Sequence, residues 1–239
     1  MSGSTPLLLR AEAVSHHGTP LEELRAVSLA IEPRKFTLLS GPADSGTGLL
    51  LRILGLLDRP DAGEVWFEAH PTSALDEAER MKLRNQAFGY VFAEPFLLDS
   101  FSVAENVAMP LFKINGLDIE QARIRTAQVL DFAGLAGAAD FRVADLSVSD
   151  QHKIALARAL AIAPRVLIAQ DAGSQLSQQD LREYLALLRM VPEALGVAVI
   201  ATSPAGSDII GADREIRLAA GEVAADSHPV AIEEAPAHE

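Results

Sequence analysis

The chain has 239 residues, 49% of them apolar, and a formal net charge of −13 at pH 7. That apolar fraction supplies the core of one large domain or two small ones. The negative balance argues against a nucleic-acid partner, which requires clustered lysine and arginine, and the absence of cysteine excludes disulfides and thiolate metal sites.

Residues 1–6 are small and polar, without the basic region and apolar stretch of a secretory signal. No run approaches the roughly 20 apolar residues that span a bilayer, so the expectation is a cytoplasmic chain that reaches a membrane only through another protein. Residues 7–14, 27–31 and 35–40 read as strands, and the last stops at Gly41-Pro42. Residues 49–57 then carry apolar side chains at helical spacing. Residues 63–67 are a further strand, 76–86 a charged helix and 88–92 a strand. Helical texture fills 102–163, in segments 103–109, 119–133 and 150–163. A strand at 166–169, a helix at 179–190 and strands at 197–202 and 214–218 complete the pattern. Strands alternating with helices predict an α/β fold with parallel members. The Ala-, Pro- and Glu-rich stretch 223–239 reads as a disordered tail. His16 and His17 read as exposed polar residues at a strand end, and no histidine has metal-ligand spacing.

Three stretches carry a family resemblance. They are Arg84-Asn-Gln-Ala-Phe-Gly-Tyr-Val-Phe92 continuing to Glu105-Asn-Val-Ala-Met-Pro-Leu111, then Leu54-Gly-Leu-Leu-Asp-Arg-Pro-Asp-Ala-Gly-Glu-Val65, and Ile154-Ala-Leu-Ala-Arg-Ala-Leu160. In order and spacing the sequence resembles the ATP-binding-cassette (ABC) ATPases of the lipoprotein-release and macrolide-export group from about residue 7 to 222. The resemblance implies a P-loop nucleotide-binding domain over 1–222, with an antiparallel β portion and an inserted helical subdomain at about 94–163.

The residues that carry the chemistry of that family are replaced. A working phosphate loop reads G-x-x-x-x-G-K-[ST]: backbone amides cradle the phosphates, lysine bridges two of them, and the hydroxyl holds Mg²⁺. Here the segment is Gly41-Pro42-Ala43-Asp44-Ser45-Gly46-Thr47-Gly48, with threonine for lysine, glycine for the hydroxyl residue, and an added carboxylate at Asp44. A unit charge at 4 Å contributes about 4 kcal/mol at an effective dielectric of 20. A helix dipole, at about 0.3–1 kcal/mol, does not replace it. The segment therefore reads as a strand-to-helix turn. By the resemblance, Gln170 stands at the Mg²⁺-organising aspartate and Asp171 at the catalytic glutamate, one methylene shorter. Ala93 stands at the glutamine that senses Mg²⁺ and water, Ser203 at the switch histidine, and Ser177 at the aspartate of the segment 174–177. The signature is Leu146-Ser147-Val148-Ser149-Asp150, where the family has L-S-G-G-Q or L-S-G-G-E. Val148 and Ser149 crowd the backbone approach that glycine permits. Ser147 keeps a phosphate donor, and Asp150 reads as a helix cap.

These replacements predict a chain that needs no cofactor, binds ATP and Mg²⁺ weakly or not at all, holds no metal, and impairs both composite sites of a dimer. The first functional reading is a docking or regulatory partner of a membrane permease, of a second ABC ATPase subunit, or of both. A weakly active export ATPase relying on Asp171 and Ser45 is the second. A soluble module using the vacated pocket is the third. The docking surface expected is the apolar loop Phe96, Leu97, Leu98 and Phe101, together with residues near 109–112; the alternative is that these side chains pack beneath their own loop.

Overall fold

The computed structural model describes residues 7–18, 23–171, 173–202 and 211–230. The expectations for 1–6, for Ser203 and for 231–239 lie outside them. In chain order the strands are β1 (Leu9–His16), β2 (Leu24–Ile31), β3 (Phe36–Ser40), β4 (Ala62–Phe67), β5 (His70–Pro71), β6 (Phe88–Val91), β7 (Val166–Ala169), β8 (Ala198–Thr202), β9 (Arg214–Ala219) and β10 (Glu222–Asp226). The α-helices are α1 (Thr47–Leu54), α2 (Glu77–Ala87), α3 (Val103–Pro110), α4 (Ile119–Phe132), α5 (Val148–Ala161) and α6 (Gln178–Leu195).

An antiparallel sheet runs β2-β1-β4-β5, and a second sheet runs β10-β9-β3-β8-β7-β6. In the second, β9, β3, β8, β7 and β6 are parallel and β10 returns antiparallel on the edge. The inserted block α3–α5 stands between β6 and β7. This is the α/β architecture expected from the alternating pattern.

Side-chain alternation distributes the central strands between two cores. Val166, Ile168, Ala198 and Ile200 join the core shared with α1 and the antiparallel sheet. Leu167, Ala169, Val199 and Ala201 join the core shared with α3, α4, α5 and α6. Burial on both faces is why β7 and β8 are continuous apolar runs rather than alternating ones.

Helix starts follow local chemistry. Asp76, Ser102 and Asp118 form capping boxes with Glu79, Glu105 and Gln121. Two ends differ from expectation. The helix expected to stop at 190 runs to Leu195, where Gly196 closes it in the left-handed conformation (φ 71°). The tail expected from 223 begins as β10. Its Asp226 carboxylate pairs with the buried Arg214 guanidinium, which also donates to Ala30 O. That bond holds the Asp226 carboxyl below the usual aspartate value. The sequence boundary at 222 thus falls four residues short of the edge strand's end.

Candidate functional site

The turn from β3 into α1 keeps its shape for reasons internal to the fold. Gly46 precedes α1 with φ 85°, and a Cβ there would lie 2.6 Å from Glu23 O. A Cβ on Gly41 would lie 2.4 Å from Leu218 O. Neighbouring backbone therefore demands both glycines whatever the turn binds. Ser45 is fully buried, its N–H donating to Pro42 O and its hydroxyl 3.4 Å from that of Thr47. Ser45, on which the second functional reading relies, is thus a buried side chain of the turn. Asp44 is exposed, while Thr47 and Gly48 are half-buried at the helix start. The first turn of α1 has no side-chain cap and no acidic residue, so no side chain of its own answers the positive end of the helix.

Past β7, the Gln170 side-chain amide nitrogen lies 3.8 Å from where a Cβ on Gly48 would be. The two positions that would hold Mg²⁺ by the resemblance lie near each other, and they offer a neutral amide and no hydroxyl. Mg²⁺ takes compact octahedral oxygen ligands, usually with a carboxylate among them, and this pair does not match that donor set. No group of three or more His, Asp or Glu side chains placed to hold a metal ion occurs among the described residues.

Asp171 has φ 45°, a conformation that side chains seldom adopt. Its N–H donates to Thr202 Oγ1 at 2.9 Å, and that hydroxyl donates back to Asp171 Oδ1 at 3.0 Å. The carboxylate is tied to the end of β8 rather than simply solvated. Sequence reasoning missed Thr202, whose only signal was its place at the end of an apolar strand. Ser203 lies outside the described residues. Ser177 serves as the N-cap of α6, accepting from Asp180 N and donating to Asp180 Oδ2 at 2.6 Å.

The signature segment forms the start of α5. The expectation that Asp150 caps it is corrected: Ser147 is the N-cap, accepting from Asp150 N at 3.1 Å and donating to the Asp150 carboxylate at 2.8 Å. Asp150 sits in the first turn and pairs with Lys153 at 3.7 Å. The positive end of α5 is thus already answered by a carboxylate, and the Ser147 hydroxyl is engaged. Val148 is 51% exposed at the helix start, and Ser149 Oγ is buried without a partner.

On the helical block, Phe96, Leu98 and Phe101 are exposed, whereas Leu97 turns inward against the core. The expected surface therefore loses Leu97. Phe112, within the expected 109–112, is exposed, and the exposed Phe141 is brought beside Phe101, because Val143 N donates to Phe101 O and Val103 N to Phe141 O. Four of the nine phenylalanines are thus exposed on this block. Phe141 was hidden from sequence reasoning because the pairing Ser102–Arg142 that brings it here is long-range. Ala93 leads into this loop, and its carbonyl faces the buried His152 ring at 3.2 Å.

His17 is exposed, and both its N–H and the His16 ring engage Asp61. No helix of the described residues is long and apolar enough to cross a membrane.

Residues 24–173 match the family described as ABC transporter. The chain is 36% identical over 207 residues to the lipoprotein-releasing system ATP-binding protein LolD of Myxococcus xanthus, covering 87% of this chain and 92% of that one. It is 39% identical to the LolD of Paramagnetospirillum magneticum over 76% of this chain and 80% of that one. The solved dimer of the ATP-binding cassette MJ0796 bound to ADP and Pi superposes with a TM-score of 0.80 and 28% identity, covering 94% of this chain and all of that one. With a family match over more than half its length and relatives this similar, the chain belongs to the ABC transporter family.

Proposed function

We propose that this chain is a non-hydrolysing ABC subunit that docks to a membrane permease, to a competent ABC ATPase subunit, or to both, at the inner face of the plasma membrane. The observation that carries this reading is the state of the pocket. Gln170 presents an amide to Gly48, and the Asp171 carboxylate is engaged by Thr202. Around that pocket the packing of the fold is intact. The names of the LolD relatives suggest a lipoprotein-releasing system as the setting. The dimeric MJ0796 cassette suggests the pairing of two such subunits.

The exposed phenylalanines supply the docking chemistry. Two aromatic side chains buried at an interface contribute several kcal/mol, on the order of 1.5–3 kcal/mol each. Co-purification with a permease from solubilised membranes tests the reading. Phe96→Asp and Phe101→Asp should release the permease while the protein stays folded. Thr47→Ala and Asp171→Ala should leave the complex intact. Release by the pocket variants with retention by the loop variants would show that nucleotide governs assembly. A soluble module would recover no permease in either set.

A further inference from the structure

The loop 92–101 that carries the exposed aromatics is bonded from beneath, by side chains that no reading of the family motifs singled out. Arg158, on α5, donates from Nη2 to Pro95 O and from Nη1 to Phe96 O, both at 2.7 Å. Asn106, on α3 and almost fully buried, accepts from Leu98 N at 2.8 Å and donates to Leu98 O at 3.1 Å. His152, fully buried, sets a ring nitrogen 3.2 Å from Ala93 O. Three of the six carbonyls between 93 and 98 are therefore hydrogen-bonded by Arg158 and Asn106, and a fourth faces the His152 ring, whose other nitrogen lies 2.9 Å from Val148 O.

What these bonds hold is unusual. Phe96 has φ 45°, a region that a bulky residue occupies only when its surroundings impose it, and its side chain is 61% exposed. Among the described residues it meets one ring, Phe92, edge-on at 6.0 Å, and Phe92 stacks in turn on Tyr90 of β6. An aromatic in a strained backbone would relax by rolling onto the apolar surface beneath it. The two bonds from Arg158 oppose that, because the carbonyls on both sides of the Phe96 N–Cα bond are fixed by one planar guanidinium. Arg158 has no ion pair among the described residues, and burial pulls its guanidinium below the usual arginine value. The Arg158 side chain is half-buried, and among the described residues its guanidinium bonds only the two loop carbonyls.

We infer that Arg158 is the positioning residue of the docking loop, holding Phe96 out in a preformed conformation for an apolar protein partner, with Asn106 and His152 fixing the flanks. The inference rests on the docking reading for its purpose, but not for its geometry. Because the lock uses α3 and α5 and no side chain of the turn 41–48, the loop is presented without reference to that turn. Ala93 has no side chain beyond Cβ with which to link the two.

Amide hydrogen exchange on the full chain tests the lock without any partner. The peptide covering 93–101 should be protected in the wild type and unchanged by millimolar Mg-ATP. In Arg158→Gln its exchange should rise at least about tenfold, with β7 and β8 unaltered, because two charge-assisted bonds are lost. Arg158→Lys, whose ammonium cannot bridge both carbonyls in a plane, should fall between the two. If Arg158→Gln fails to fold, Arg158→Lys and the wild type decide the matter. Free exchange of the peptide in the wild type, a change with Mg-ATP, or no response to either substitution would overturn the inference. Permease capture that survives Arg158→Gln and Phe96→Asp, with the loop loosened as expected, would leave the lock standing and remove docking as its purpose.

Discussion

The turn 41–48 and the loop 92–101 are both connections that leave a strand of the same sheet, yet they are maintained in opposite ways. The turn keeps its backbone shape because neighbouring carbonyls at Glu23 and Leu218 leave no room for a Cβ, while its side chains carry neither the cation nor the Mg²⁺ hydroxyl of a working phosphate loop. The loop has no such steric frame and is held by specific bonds from Arg158, Asn106 and His152. Packing preserves the form of the first, and dedicated polar contacts maintain the second.

The contrast breaks most visibly at Gly46. Gly46→Val places a β-branched side chain at φ 85° against Glu23 O and should destabilise by at least about 3 kcal/mol. At about 2–4 °C per kcal/mol for a domain of this size, the melting temperature should fall by roughly 6–12 °C. Asp44→Gly combined with Thr47→Lys changes only the chemistry of the turn and should stay within about 0.5 kcal/mol. A large loss from the second, or none from the first, would mean that the turn is kept for its ligand.

The loop's side of the comparison is sharpened by Asn106→Ala. It strands Leu98 N and removes donors from Leu98 O and Ser102 O. Calorimetry should show a loss of about 2–3 kcal/mol.

A smaller effect concerns the edge strand. The Asp226 carboxyl is depressed first by its hydrogen bond from Arg214, below the ordinary value of 3.8. A depressed carboxylate stabilises the fold above the unfolded value, and that contribution is lost as the pH falls through 3.8 toward the folded value. Stability owed to this pair should therefore be flat between about pH 7 and 5 and decline below about 4. Asp226→Asn should destabilise by about 1–2 kcal/mol at neutral pH and remove that part of the acid decline. Denaturant titrations at several pH values measure both.

How far the sequence spoke depended on whether a feature was local. The strands 166–169 and 197–202 were visible because burial on both faces makes them unbroken apolar runs, and the helices at 76–86, 103–109 and 119–133 through their composition; the caps Asp76, Ser102 and Asp118, each with its partner three residues on, were a local signal left unread. Ser147 and Ser177 had the same signal, each followed by aspartate at the third position, but family motifs drew attention to Asp150 instead. The strand at 222–226 was missed because its stability comes from pairing with β9 and from Arg214 rather than from its own composition. The pocket positions were assigned through the family resemblance. The Thr202 bond to Asp171 and the Arg158 bonds to the loop were not legible, because they join segments 31 and more than 60 residues apart.

The central claim is that this pocket does not turn over nucleotide, and phosphate release from Mg-ATP by purified wild type beside Asp171→Ala tests it most directly. The account predicts that the two preparations release phosphate at the same background rate. Release by the wild type that disappears in Asp171→Ala would contradict it.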